Sequence, residues 1–141
     1  MTLADCRRTR PRVSGRGRRS ALIAGAEPSI RQLVRTVLEI GGFRVVEAGS
    51  SVEVRERLTG AERAPQVIVL DVSLPNFSGL STLSYVRAET RLARVPVIVL
   101  TGLSEPPDHR QFLAAGASAV IAKPYSAQGL LNLAAQFARP A

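Results

Sequence analysis

Residues 67–70 read VIVL and residues 95–100 read VPVIVL, and these two stretches decide the fold. Both are unbroken runs of apolar, mostly β-branched side chains. Continuous rather than alternating apolarity suits a strand covered on both faces, as in a parallel sheet. Working outward, three more short apolar runs appear at Ala21–Ala24, Phe43–Val46 and Ala119–Ala122. The run FRVV at 43–46 carries Arg44, which suits an edge strand.

The segments between these runs read as helices. Ile30, Leu33, Val34, Val37 and Leu38 follow the three-four spacing of a buried helical face. Ser29 or the turn before it can start this helix, and Gly41–Gly42 can end it. Ser50–Ser51–Val52–Glu53 has capping-box spacing ahead of a second helix to about Thr59. Gly79–Glu89 is a weaker third. Ser104–Glu105–Pro106–Pro107 starts a fourth, with Gly116 as its stop. Ser126 caps a last helix, reaching to about Arg139, whose Leu130, Leu133, Ala134 and Phe137 share a face. Strands and helices in strict alternation, with right-handed crossovers, give an α/β fold: a (βα)5 doubly wound parallel sheet in a three-layer sandwich. The common strand order at this size is 2-1-3-4-5, with the ligand crevice at the carboxyl ends of the strands.

Composition narrows the chemistry. The chain has 141 residues, one cysteine and one histidine. A disulfide scaffold, a cysteine zinc site and the HExxH metal site are all excluded. No apolar run approaches the roughly 20 residues needed to cross a bilayer, so a soluble, cytoplasmic protein without membrane insertion is expected. The formal net charge of +8 is uneven. Residues 1–19 mix Arg, Pro, Gly, Ser and Thr, and cannot bury enough surface to offset their ordering entropy. They read as a disordered arginine-rich tail ahead of a domain at 20–139. Such a tail is either a solvated leader or an arm that meets the phosphates of nucleic acid or anionic lipid. It holds no aromatic residue to stack on single-stranded bases.

The expected strand ends deliver distinct groups to one rim. The first strand ends at Gly25–Ala26–Glu27–Pro28, the third at Asp71, the fourth at Thr101–Gly102 and the fifth at Lys123–Pro124. A carboxylate, a hydroxyl and an ammonium in one crevice suit a phosphoryl group. The carboxylate can accept it as an acyl phosphate, the hydroxyl can donate to one of its oxygens, and the lysine can neutralise another. Singly, each has a plain structural reading, as a turn-closing Asp, a strand Thr or a surface Lys. Together, from three strands at one rim, they favour a site.

The segments ALIAGAEPSIRQLVRTVLEIGGFRVVEA, APQVIVLDVSLPNFSGL, VPVIVLTG and AAGASAVIAKPY resemble the receiver (CheY-like) domain of two-component response regulators. The resemblance covers about residues 19–139. It implies that Asp71 is the phosphoacceptor, Thr101 the switch hydroxyl and Lys123 the site lysine. It also implies a signalling rather than enzymatic role, with a histidine kinase, a phosphotransfer protein or an output protein as partner. No room remains after Ala141 for an output domain, so a stand-alone receiver is expected.

Two departures from the family stand out. The acidic pair that holds Mg2+ in receiver domains is replaced by Gly25 and Ala26. Val120 stands where the family carries its aromatic switch residue. The residual metal set would be Asp71, the carbonyl of Ser73 and at best Glu27, so weak or absent Mg2+ binding and impaired phosphorylation are expected, which would make the domain a pseudo-receiver. A standing Asp71–Lys123 ion pair is expected in place of the metal. Two alternatives stay open: a working phosphoacceptor with Glu27 as substitute metal ligand, and nucleic-acid binding through the arginine tail. An enzyme with its own small substrate is disfavoured, because there is no Walker A loop, no GxGxxG after the first strand, and Ser73 stands where an aspartyl phosphatase would want a second acid. Phe77 and Leu74 read as packing, and His109 as an exposed residue in the first turn of a helix.

Overall fold

The computed structural model describes residues 19–61, 63–72, 79–102, 106–122 and 126–138. Its strands are β1 (Arg19–Gly25), β2 (Phe43–Ala48), β3 (Val67–Asp71), β4 (Val97–Thr101) and β5 (Ala119–Ala122). The helices are α1 (Pro28–Ile40), α2 (Ser51–Gly60), α3 (Gly79–Ala88), α4 (Pro106–Ala114) and α5 (Ala127–Phe137), with a short 3-10 turn at Thr90–Leu92. The sheet is parallel throughout, in the order β2-β1-β3-β4-β5. Expected class, strand order and edge position of the FRVV strand all match.

Alternation along the strands divides the core in two. Leu22, Ala24, Ile68, Leu70, Val97 and Val99 face one side, where Val54 and Leu58 of α2, Leu83 and Val86 of α3, and Phe112 of α4 cover them. Ala21, Ile23, Val67, Val69, Ile98 and Leu100 face the other, under Val34 and Leu38 of α1 and Leu130 and Ala134 of α5. Every residue of β3 and β4 is buried, as continuous apolarity requires. Full burial of such side chains contributes about 1.5–3 kcal/mol each.

The helix ends follow local chemistry. Proline occupies the first turn of α1, where its missing N–H costs nothing. Past its end, Gly42 adopts φ +93°, a conformation open to glycine and strained for other residues. Ser50 Oγ accepts from the Glu53 amide at 3.1 Å. The reciprocal arm of the expected capping box is shifted by one residue, because the Glu53 carboxylate accepts from the Gly49 amide at 2.6 Å rather than from Ser50. Ser126 caps α5 through the Gly129 amide.

Some expectations need correction. Val95 and Pro96 precede β4, which runs two residues later than its apolar run and takes in Thr101. β1 begins at Arg19 and β2 continues to Ala48. Leu33 is 54% exposed, because Val34 and Leu38 alone of the proposed α1 face are buried against the sheet. His109 is half-buried rather than exposed. Residues 1–18, with Leu74, Phe77, Ser73, Lys123 and Arg139, lie outside the described residues.

Candidate functional site

In a sheet ordered 2-1-3-4-5 the chain reverses direction of travel across the sheet between β1 and β3, and the crevice opens at their carboxyl ends. Asp71 closes β3 there and is 4% exposed. Its register partner on β1 is Gly25, and its partner on β4 is Leu100. Thr101, one residue further along β4, is fully buried and pairs with Ala122, the last residue of β5. The carboxylate and the hydroxyl expected at one rim are therefore on neighbouring strands at that rim. Lys123 follows Ala122 in the chain and is itself outside the described residues.

The β1 side of the crevice is built from small residues and an arginine. A Cβ at Gly25 would stand 2.9 Å from the Asp71 Cβ and 3.4 Å from its carbonyl oxygen. The glycine thus lets the end of β1 approach the aspartate more closely than any side chain would. Arg31, in the second turn of α1, donates from one terminal nitrogen to the Gly25 carbonyl at 2.7 Å. Its Nε donates to Glu47 Oε1 at 3.1 Å, and Arg35 donates to Glu47 Oε2 at 3.0 Å. Hydrogen bonding to Arg35 is the main force holding the Glu47 carboxyl below its ordinary value, with Arg31 adding to it against the cost of burial. The network ties α1 to the edge strand beside the crevice.

Sequence reasoning missed this network. The signal was present: Glu47 has the parity of Phe43 and Val45, which face α1, and a half-buried carboxylate there needs a cation from the covering helix. Arg31 and Arg35, one turn apart, supply it.

Glu27 is exposed, sits at the N-cap of α1 and accepts a hydrogen bond from Ser29 Oγ at 2.9 Å. Among the described residues no three His, Cys, Asp or Glu side chains come together to hold a metal ion. Receiver domains generally bind Mg2+ at an acidic pocket. Among the described residues, the donors around Asp71 do not fit that ion, which takes near-octahedral oxygen coordination. Gly25 and Ala26 offer no side-chain oxygen, the Gly25 carbonyl is engaged by Arg31, and Glu27 is held by Ser29.

Comparison with known proteins fixes the class. The model of the response regulator receiver domain matches residues 21–135, and the chain belongs to that family. It is a receiver domain of two-component signalling, a class of modules that generally signal rather than catalyse. It is 34% identical over 113 residues to the transcriptional regulatory protein GltR of Pseudomonas aeruginosa, covering 80% of this chain and 46% of the relative. It is 39% identical over 106 residues to the KDP operon transcriptional regulatory protein KdpE of Escherichia coli, covering 75% and 45%. The chain thus spans a little under half the length of these relatives. Among solved structures, the chemotaxis response regulator CheY4 of Vibrio cholerae superposes with a TM-score of 0.77 at 26% identity, over 85% of this chain and 98% of that one. A response regulator receiver domain protein of Clostridium thermocellum gives 0.76 at 28% identity, over 85% and 94%. No helix among the described residues is long and apolar enough to cross a membrane.

Proposed function

We propose that this chain is a pseudo-receiver: a response regulator receiver domain that signals through protein–protein contacts, with Asp71 at the phosphoacceptor position and Mg2+-dependent phosphorylation impaired. The single observation that carries the reading is the β1 end of the crevice, where Gly25 lies directly against Asp71 and its carbonyl is engaged by Arg31. A divalent ion neutralises charge and orients the phosphoryl donor in such transfers. Here the family's two metal-binding acids are missing, and the space of the first is narrowed by the neighbouring strand. Thr101 stays at the rim as a hydroxyl beside the carboxylate, and Lys123 directly follows β5, so the anion-handling half of the site is retained while the metal-handling half is lost. Val120, half-buried and packed on the core side of α2, α3 and α4, carries no ring to swing between positions. Communication with a histidine kinase, a phosphotransfer protein or an output partner then relies on the resident state of the domain in the cytoplasm.

The test is incubation with a small phosphodonor such as acetyl phosphate, with and without Mg2+, read by intact mass. The expected result is no Mg2+-dependent phosphoryl adduct on folded protein. An adduct that forms readily with Mg2+ and disappears in Asp71→Asn overturns the pseudo-receiver reading. The alternative with Glu27 as substitute ligand requires that side chain to leave Ser29. Glu27→Gln is expected to respond to Mg2+ as the native chain does, and a weaker response would revive that alternative.

A further inference from the structure

One edge of the sheet is left open. β2 stands there, beyond β1, and among the described residues no strand lies along its outer side. Natural edges are blunted by shortness, proline, bulges or charge. β5, at the other edge, has four residues. β2 has six, more than either β3 or β4, holds no proline or glycine, and keeps an unbroken register to β1 from Phe43 to Ala48. Its two faces differ. Phe43, Val45 and Glu47 turn toward α1, where Arg31 and Arg35 balance Glu47 and Glu39. Arg44, Val46 and Ala48 turn toward α2. Val46, in mid-strand, is 49% exposed, and Arg44 is exposed beside it. Arg57 of α2 donates from Nε to the Glu47 carbonyl at 3.0 Å, which brings a second exposed guanidinium to the far end of this face. Among the described residues, the ion pairs include neither Arg44 nor Arg57. Glu53, one turn before Arg57, accepts from the Gly49 amide instead. The α2 face of the edge therefore runs cation, β-branched aliphatic, cation.

We propose that the β2 edge takes up an extended acidic segment of a partner protein as an added strand, with a carboxylate two residues to either side of a β-branched aliphatic residue. In strand addition, main-chain hydrogen bonds give the affinity and alternate side chains give the specificity. Side chains on one face of a strand recur every second residue, roughly 6.6 Å apart. An acid-x-aliphatic-x-acid pattern therefore lays its central residue against Val46 and its two acids beside Arg44 and Arg57. Opposite charges facing across a strand pair stabilise it, and like charges destabilise it. The same rule disfavours a second copy of this chain. Antiparallel pairing of β2 with itself about Val46 would set Arg44 opposite Ala48, next to Arg57, at both ends of the seam. β1 separates this edge from Asp71 on β3, so the binding is independent of whether Asp71 accepts a phosphoryl group.

The experiment uses the full chain and a labelled synthetic peptide, TDTVTDT, read by fluorescence anisotropy and by amide hydrogen exchange. A charge-reversed peptide, TKTVTKT, and the variant Arg44→Gln/Arg57→Gln, checked for an unchanged melting temperature, accompany it. The acidic peptide is expected to bind saturably with a dissociation constant below about 1 mM and to slow exchange at alternate amides of β2. The basic peptide is expected not to bind. The variant is expected to bind the acidic peptide roughly fivefold more weakly, the share of two exposed ion pairs. The peptide pair tests the charge on the native chain alone, whether or not the variant folds. No saturable binding overturns the proposal, as does equal binding of the two peptides or undiminished binding by the folded variant. Binding that leaves β2 exchange unchanged also overturns it, since the peptide would then sit on other arginines. A chain that sediments as a dimer with β2 amides already slowed overturns it in favour of a second copy.

Discussion

Placing acids at positions 25 and 26 is the sharpest test of the proposed loss of the metal site. In Gly25→Asp/Ala26→Asp the new Cβ at position 25 meets the Asp71 Cβ at 2.9 Å, so the end of β1 must shift by a few tenths of an ångström. Overpacking of this kind costs about 1–3 kcal/mol, and three carboxylates crowded at one rim add repulsion. For a domain of this size each kcal/mol moves the melting temperature by roughly 3–5 °C. Without divalent ions the variant should therefore melt about 5–15 °C below the native chain. Mg2+ binding the folded state alone at 100 times its dissociation constant returns about 2.7 kcal/mol, or roughly 10 °C. The native chain should be indifferent. The assay is thermal denaturation by circular dichroism across a Mg2+ titration at constant ionic strength. Two results refute the reasoning: a native chain that gains as much from Mg2+ as the variant, or a variant that gains nothing. The first means that existing groups already hold the ion; the second means that the missing acids were not the cause.

Two further outcomes concern the scaffold. Glu47 is held below its ordinary value of 4.5, chiefly by its hydrogen bond to Arg35, so its contribution is complete above that value and is lost as pH falls through the lower folded one. Urea denaturation between pH 6 and pH 3 should show this acid loss in the native chain and a shallower loss in Glu47→Gln. Arg87 donates to the carbonyls of Leu92, Ala93, Val95 and Gly116, and desolvation by burial lowers its pKa. Arg87→Ala should cost about 2–4 kcal/mol by stranding those carbonyls. Arg87→Lys should keep part of that, and a loss under ~0.5 kcal/mol for the alanine variant would show that water replaces the guanidinium.

What could be read from the sequence divides along physical lines. VIVL and VPVIVL are legible because a strand buried on both faces tolerates no polar interruption, and that alone leads to a parallel sheet with helices on two sides. Asp71 and Thr101 follow, since each closes such a run. Leu33 misleads, because helical spacing says which residues share a face and not how wide a stripe the sheet covers. Glu53 binding Gly49 rather than Ser50 shows the same limit at a helix start, where a rotamer decides between neighbouring amides. The Arg31–Gly25 contact could not be foreseen from spacing at all, since its acceptor is a backbone carbonyl that every residue type offers. The nearness of Gly25 to Asp71 is likewise a matter of strand register, fixed only once β1 and β3 pair.

The guanidinium of Arg87 has a consequence at a distance. It fastens the segment leading into β4 to the Gly116 turn leading into β5, where a Cβ would collide with the arginine stem and φ is +116°. Two adjacent strands are thereby given a common starting line. Because an extended strand rises by a fixed increment per residue, Thr101 and Ala122 arrive at the far rim in step. Lengthening either connection by one residue would throw that alignment out without touching a single side chain of the crevice.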